Sequence, residues 1–266
     1  MSSLVAIVFG VTLLFFAILS GGDISVFING PSLMIVLGGT TAAIFISFQA
    51  QRVFKVSAVL LNVFKKEVAS PSIIIGDIVK LSLKARQQSL LALEDEMKKQ
   101  SHRFVKLGLE MAIDGSPGTL LREVMETELD FIQVRHKRGA NIFKTAARYS
   151  PSFGLIGTLI GLVQMLQAFG SDTGASAASL GIGMSVALIT TFYGAMLANL
   201  FFNPVAEKLK ARTEDEVLTT QIAIEGLVML QAGANPRVIE RKLNSYLPPH
   251  ERKNHYDKIM KRQKGI

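Results

Sequence analysis

Three threonines in otherwise uncharged stretches are the side chains of this sequence best suited to bind a cation. Thr158, Thr190 and Thr191 fall within residues 149–206, where Asp172 is the one charged residue. Hydroxyl oxygens are hard ligands, and hard cations prefer oxygen over nitrogen or sulfur. We therefore expect these threonines to line an ion pathway, with Thr158 and Thr191 as ligands of a transient Na⁺. A membrane threonine can instead donate to the carbonyl four residues earlier, so a purely local role stays open.

Groups that the sequence lacks also bear on its chemistry. The four apolar stretches described below contain no Asp, Glu, Lys, Arg or His, whereas ion-moving proteins usually keep an ionisable group inside the membrane. Either the chain conducts nothing, or a second protein supplies the missing carboxylate. The sequence also has no cysteine, only four histidines and no phosphate-binding glycine motif, so we expect no cofactor, no structural zinc and no enzymatic activity.

Four apolar stretches are candidates for membrane-spanning helices. Residues 149–171 and 173–206 are uncharged and exceed the roughly 20 residues that a transmembrane helix needs. Residues 3–20 and 31–48 form two further apolar runs near the start of the chain. The whole chain is 49% apolar, with a mean hydropathy of +0.35, which is too apolar for an ordinary soluble domain. The sequence predicts an all-α integral membrane protein with four transmembrane helices.

The third and fourth predicted spans each have one face of small side chains. At 3.6 residues per turn, Gly154, Thr158 and Gly161 share one side of the third span. Ala187 and Gly194 share one side of the fourth span. Small residues mark contacts between membrane helices, because close packing holds such helices together. We expect these thin faces to receive the helices of a partner protein.

The basic residues predict how the chain is oriented in the membrane. Every Lys and Arg lies in residues 52–148 or 208–266, and the short loops that join paired spans have none. By the positive-inside rule, both termini and the central block are cytoplasmic. Contact with anionic lipid then explains the net charge of +8, and no nucleic-acid partner is expected.

The segments outside the membrane are also predicted to be helical. The chain divides into spans one and two (1–50), a cytoplasmic helical domain (51–148), spans three and four (149–206) and a cytoplasmic C-terminal region (207–266). Capping and turn signals place helices from Pro71 to near Arg86, through Glu94 and Lys98, over 104–113, from Pro117 into span three, from Pro204 to Gly233 and from Pro236 to near Tyr246. We expect the basic tail after these helices to be mobile.

Several stretches resemble one family of bacterial membrane proteins. The matching segments are ARQQSLLALE (85–94), RHKRGANIF (135–143), PSFGLIGTLIGLVQML (151–166), ALITTFYGAMLANLFFNPVAEKL (187–209) and NPRVIERKLNSYLPP (235–249). Together with the layout of two spans, a large cytoplasmic loop and two more spans, they resemble the MotA/PomA stator subunits of the flagellar motor. The resemblance runs from about residue 3 to residue 250.

This resemblance implies a partner, an assembly and a location. Subunits of this family form a homo-pentamer around two single-span MotB/PomB-type proteins, which bring an aspartate into the bacterial inner membrane. Ion flow past that aspartate is thought to turn the pentamer against a rotor ring protein of the FliG type. The missing carboxylate is then expected.

The resemblance also implies roles for particular residues. Arg86 and Glu94 would face the rotor, Pro151 and Pro204 would couple ion passage to torque, and Thr158 is typical of sodium-type members. Each residue has a plain alternative. The two charges could be a solvated helix face, and the two prolines could shape their helices only locally.

Two other functions stay open. An ExbB/TolQ-type subunit, which energises envelope transport, is a related pentamer that usually has three spans and an outward N-terminus. A membrane scaffold that conducts nothing is the other alternative, with its threonines used only for packing. If ions do pass, H⁺ is the alternative to Na⁺.

Overall fold

The computed structural model describes residues 2–56, 70–100, 102–170 and 177–263, and this part of the chain is helical without any β-strand. The predicted all-α class is therefore confirmed. Helices of the first half are α1 (Ser2–Gly21), α2 (Gly30–Leu33, the π turn Met34–Gly38 and Gly39–Ser47), α3 (Pro71–Gln88), α4 (Glu94–Lys99), α5 (Arg103–Ile113) and α6 (Gly118–Phe169). Those of the second half are α7 (Ala177–Met196), the π turn Leu197–Phe202, α8 (Asn203–Gln231), α9 (Pro236–Asn244) and α10 (His255–Gln263). Asp172 and its predicted loop lie outside the described residues.

Three helical stretches are long and apolar enough to cross a membrane. They are Ile24–Ser47, Gly118–Phe169 and Leu180–Gln231 among the described residues. The first predicted span forms the 20-residue helix α1, within which Thr12–Gly21 is a shorter apolar helix among the described residues. The four-span count therefore stays a prediction.

The chain forms two compact units. The first contains Met1–Lys66 and His136–Lys210, and the second contains Glu67–Arg135 and Ala211–Ile266. Helices α6 and α8 contribute residues to both units. Helix α6 is the long helix that was predicted to run from Pro117 into the third span.

In the first unit, α6 and α7 cross with their backbones in contact. A Cβ atom added at Gly161 would lie 2.5 Å from the carbonyl oxygen of Gly183 and 2.7 Å from the amide nitrogen of Ala187. One added at Gly194 would lie 2.7 Å from the carbonyl oxygen of Ser150. The hydroxyl of Ser150, which is fully buried, donates to the carbonyl of Gly194 at 3.1 Å. The predicted thin faces are therefore packed against each other within one chain, which corrects the expectation that partner helices occupy them.

The opposite face of α6 is apolar and exposed. Leu155, Leu159, Leu162 and Leu166 are between 44% and 64% exposed, although they belong to a strongly apolar helix. Large apolar side chains directed away from the protein interior are what a lipid-facing surface requires. Their exposure agrees with the transmembrane assignment.

The second unit has an aliphatic core built from α3, α5, α8, α9 and part of α6. Ile75, Ile78, Leu109, Leu121 and Leu227 are each fully buried in it. Each comes from a helix that the sequence predicted, because apolar residues recur there at helical spacing. This core fixes the position of the C-terminal half of α3.

Two features of the second unit differ from the sequence-based expectation. The helix expected to continue through residues 90–99 breaks at Ser89, whose φ of 108° lies in the region that non-glycine residues rarely adopt. A 3₁₀ turn at Leu91–Leu93 follows, and α4 starts at Glu94. The tail expected to be mobile instead forms α10, and Tyr256, Ile259 and Met260 pack against the core.

The crossing of α6 and α7 predicts a sharp difference between two glycines. Gly161→Ala should destabilise the protein by about 1–3 kcal/mol, because the new methyl group would overlap backbone atoms that cannot move away. Gly181→Ala, also in a membrane helix, should be neutral or slightly stabilising, because nothing lies within 4 Å of its added Cβ. Thermal unfolding of the two variants in the same detergent measures this difference, and equal melting temperatures would contradict the close crossing.

Candidate ion pathway and rotor-facing surface

Thr190 lies inside the crossing of α6 and α7. Its side chain is fully buried, and its hydroxyl shares its hydrogen between the carbonyls of Val186 at 2.8 Å and Ala187 at 3.0 Å. A Cβ added at Gly157 would lie 2.5 Å from the hydroxyl oxygen of Thr190. The geometry favours the local packing role for this threonine, and its place in the ion pathway stays a prediction.

Thr158 and Thr191 are more accessible than Thr190. Thr158 is partly exposed and donates to the carbonyl of Leu155 at 2.6 Å, and Thr191 is exposed and donates to the carbonyl of Ala187 at 3.3 Å. A hydroxyl has one hydrogen and two lone pairs, so a bond to its own helix leaves the lone pairs available as acceptors. Both hydroxyls can therefore still bind a cation.

The crossing also brings these two threonines to neighbouring turns. Thr191 contacts the Gly154 position, because its Cα would be 3.2 Å from a Cβ added there. Thr158 lies four residues, about one helical turn, after Gly154 on α6. The two predicted Na⁺ ligands therefore come from adjacent levels of the same helix pair.

Two asparagines extend the polar face of α7 and were missed by the sequence analysis. Thr191, Ala195, Asn199 and Asn203 are all exposed and recur every four residues. Steps of four overshoot one 3.6-residue turn, but the π turn Leu197–Phe202 has more residues per turn and offsets this drift. The amide nitrogen of Asn203 donates to the side-chain oxygen of Asn199 at 3.5 Å. The four-residue spacing was visible in the sequence, whereas the π turn that keeps these residues aligned was not.

Pro151 lies within a continuous helix, 33 residues after the start of α6 at Gly118. It is therefore an internal proline and not the first-turn proline of a separate helix, and its coupling role stays a prediction. Because proline has no N–H, residue 151 cannot donate to the carbonyl of Ala147. Its Cα also lies 3.1 Å from a Cβ added at Gly194, so Pro151 is part of the crossing.

Pro204 is the second residue of α8, and only Asn203 separates it from the π turn Leu197–Phe202. Its missing N–H removes a backbone donor to the preceding turn, where the helix widens. The next residues, Val205 and Ala206, are 1% exposed and pack in a small core with Phe143 of α6. Pro204 thus stands between a widened turn and a tightly packed one.

Arg86 and Glu94 lie on either side of the break at Ser89. Arg86 is exposed in the last turn of α3, and Glu94 is exposed at the start of α4. The ammonium of Lys98 donates to Glu94 at 2.9 Å, which lowers the pKa of Glu94 and raises the pKa of Lys98. Leu91, which lies between Arg86 and Glu94 in the sequence, is 70% exposed, so this surface combines these two charges with an apolar side chain.

The described residues contain no group of three or more His, Asp or Glu side chains arranged to hold a metal ion. In the four apolar stretches, which have no Asp or Glu, the oxygen ligands on offer are hydroxyl, amide and backbone oxygens. Such oxygens are found on the exposed face of α7 and at Thr158.

Comparison with known proteins identifies the family. Residues 96–222 match the MotA/TolQ/ExbB proton channel family. Motility protein A of Borreliella burgdorferi is 39% identical, with 92% of each chain covered. Chemotaxis protein PomA of Vibrio alginolyticus is 31% identical, with 93% of this chain and 95% of PomA covered.

A solved structure agrees with the sequence relatives. The flagellar MotAB stator complex from Bacillus subtilis contains a chain that superposes with a TM-score of 0.84 at 32% identity. The match covers 95% of this chain and 98% of that one. The chain therefore belongs to the MotA/PomA family of flagellar-motor stator subunits, within the MotA/TolQ/ExbB proton channel family.

Proposed function

We propose that this chain is the ion-conducting A subunit of a flagellar stator, which works with a peptidoglycan-anchored MotB/PomB-type partner. Inward flow of Na⁺ would drive rotation and torque on the rotor. The observation that carries this proposal is the near full-length match to motility proteins and to a MotAB stator complex. The match to the broader family alone would fit an ExbB/TolQ-type subunit equally well.

The partner would supply the carboxylate that the apolar helices lack. The helices carry hydroxyl and amide oxygens but no ionisable side chain, which suits one wall of an ion path completed by another protein. Because the thin faces of α6 and α7 are occupied by each other, the partner would meet the exposed face of α7. That face carries Thr191, Asn199 and Asn203.

Na⁺ is the proposed ion, with H⁺ as the alternative. Support comes from the oxygen ligands Thr158 and Thr191, whose lone pairs remain available. A dehydrating Na⁺ needs several such oxygens at short range, and the partner's carboxylate would add a charged one.

Five copies of this chain, arranged as a homo-pentamer around two partner subunits, would enclose the ion path. Leu120, Val124, Phe131 and Val134 are exposed on the charged part of α6, and Phe131 is 71% exposed. A row of apolar side chains on an otherwise polar helix is typical of an interface. The row supports contact between copies of this chain outside the membrane.

The orientation and the coupling residues complete the proposal. The chain would lie in the bacterial inner membrane with four spans and both termini cytoplasmic, because its basic residues are confined to the segments outside the spans. Residues 51–148 would then carry the rotor-interacting domain. Pro151 and Pro204 would link ion passage to rotation, since Pro151 is part of the α6–α7 crossing and Pro204 lies close after the π turn.

The borrowed carboxylate predicts an ion current that needs two proteins. The chain expressed alone should pass little current, because its spans have no ionisable group. Expression with the partner should create a current that disappears when the partner's membrane carboxylate is replaced by an amide. Ion-flux measurements in proteoliposomes check this, and a robust flux through this chain alone would refute the idea.

The ion choice predicts that swimming depends on external Na⁺ and on the hydroxyl of Thr158. At fixed membrane potential, Thr158→Ala should need a higher Na⁺ concentration for half-maximal speed, and Thr158→Ser should retain most of the wild-type response. Swimming of wild-type cells that does not depend on Na⁺ would favour H⁺. A sodium response unchanged by Thr158→Ala would refute only the role of Thr158 as a Na⁺ ligand.

The rotor-facing surface predicts a pair of complementary charge reversals. Arg86→Glu and Glu94→Lys should each reduce swimming by roughly half or more while leaving membrane assembly intact, because paired charges couple energetically across interfaces. A matching reversal on the rotor ring should restore part of the speed. Lys106→Glu, an exposed reversal on α5, serves as the control. Normal swimming in all of these strains would mean that the two charges are merely solvated.

A further inference from the structure

The C-terminal helix α10 is held against the second unit by an unusual set of contacts. Tyr256, Ile259 and Met260 pack on the aliphatic core. The guanidinium of Arg237 on α9 pairs with Asp257 at 3.4 Å and lies 5.5 Å from the ring centre of Tyr256. These contacts place the apolar face of α10 on the core of the second unit.

A nearly buried carboxylate binds the start of α10. Glu240 of α9 is 7% exposed, and its Oε1 accepts hydrogen bonds from the backbone N–H groups of His255 and Tyr256, the latter at 2.9 Å. Free N–H groups at a helix start favour a negative charge. Glu240 therefore caps α10 from another helix and fixes where it begins.

The imidazole of His255 fills a notch on α3. Its Nε2 lies 3.1 Å from the hydroxyl of Ser72, which is 7% exposed. A Cβ added at Gly76, one turn after Ser72, would lie 2.9 Å from Nδ1 of His255. The ring thus lies against the bare backbone of position 76, and a side chain there would force it to shift.

The charges around His255 come from three places. Asp77 of α3 and Glu240 of α9 favour its protonated form, whereas Lys253 and Lys258 near its own helix oppose it. Burial is the largest effect and lowers the pKa of His255. Burial also raises the pKa of Asp77, which weakens the charge that could compensate an imidazolium.

Asp77 also interacts with a second histidine. His102 has its pKa lowered by burial, and the charges of Asp77 and Glu216 act in the opposite direction. Its Nδ1 is buried and has no hydrogen-bond partner among the described atoms. Lys80 of α3 lowers the pKa of Asp77 and is the other charge that acts on it.

We propose that α10 is an acid-sensitive clamp on α3, docked while the His255 imidazole is neutral and released when it becomes protonated. In the docked state the ring sits between Ser72 and Gly76, where a charged ring would be poorly solvated. The direction follows from linkage. The pKa of His255 is lower in the docked state, so docking is most stable at pH values above the pKa that the histidine has in the released state. This stability is lost as the pH falls from that pKa toward the pKa of the docked state.

Release would remove α10 from its place beside the end of α3 that carries Arg86, the charge proposed to face the rotor. A cleft of about 220 Å³ is lined by Lys84, Gln87 and Gln88 of α3 together with Ile259 of α10. Arg86 lies in this same last turn. Cytoplasmic acidification would therefore loosen the support of the Arg86 surface. This consequence for torque rests on the proposed function, whereas the docking equilibrium does not.

The cysteine-free chain allows a direct test by spin labelling of the full-length protein. Gln88→Cys and Lys261→Cys are both at exposed positions and report the distance between α3 and α10. At pH 8 we expect one narrow distance distribution, and at about pH 5.5, one unit below the usual histidine pKa, a second and longer population. An unchanged distribution between these two pH values would overturn the proposal.

Two histidine variants assign the effect. His255→Gln keeps a side-chain donor and acceptor but does not titrate, so it should stay docked at both pH values. His250→Gln, at an exposed histidine of the same tail, should behave as the wild type. A pH response retained by His255→Gln would refute the assignment to His255.

If His255→Gln fails to dock at pH 8, the histidine's own titration decides. The NMR titration of His255 in the unlabelled chain should then give a pKa below about 6.5, and a value at or above it would overturn the proposal. Gly76→Ala, which pushes the ring out of its notch, provides the released reference at pH 8. Swimming tests are not needed for any of these outcomes, so failure of the clamp is distinguishable from failure of the stator function.

Discussion

The close backbone contact between α6 and α7 is the constraint on which the rest of the first unit depends. Gly161 and Gly183 allow the two helices to approach so closely that a Cβ added to either glycine would overlap backbone atoms of the other helix. That approach buries Thr190 and turns Thr191 outward with Asn199 and Asn203. It also sets the bulky leucines of α6 on the opposite side. Which polar atoms are available to an ion is therefore decided by where two helices lack side chains.

The chemistry of these helices is consistent with the proposal that a second protein supplies the carboxylate. A threonine hydroxyl that donates its hydrogen bond to a carbonyl of its own helix needs no further partner, so a membrane helix can contain it at little cost to insertion. A carboxylate in the same place would be expensive in the absence of a counter-charge. Placing the proposed carboxylate on another subunit would let this chain fold as an ordinary membrane helix pair.

Much of the fold could be predicted from local signals, and the failures have physical causes. Pro71, Pro236 and the glycines at 115 and 233 marked helix ends correctly, because their backbone restrictions act within a few residues. The break at Ser89 was missed because non-glycine residues rarely adopt its positive φ, so the residue type gave no signal. The docking of α10 was missed because it depends on Glu240 of another helix. In the candidate site, the threonines were found by residue type. Periodicity identified the thin faces of α6 and α7 but could not predict that these two faces pack against each other.

The π turn Leu197–Phe202 has a consequence for the mechanics of the helix that contains it. A π turn holds one residue more than the same length of α-helix, and each residue of an α-helix advances by about 100° around the axis. Winding this turn into α geometry would rotate everything after Phe202 by about that angle relative to α7. Asn203 would leave the face that it shares with Thr191, while every helical hydrogen bond could be remade one carbonyl away. Such a change would make the segment a torsional joint that alters which side chains face the proposed pathway while the helix stays intact.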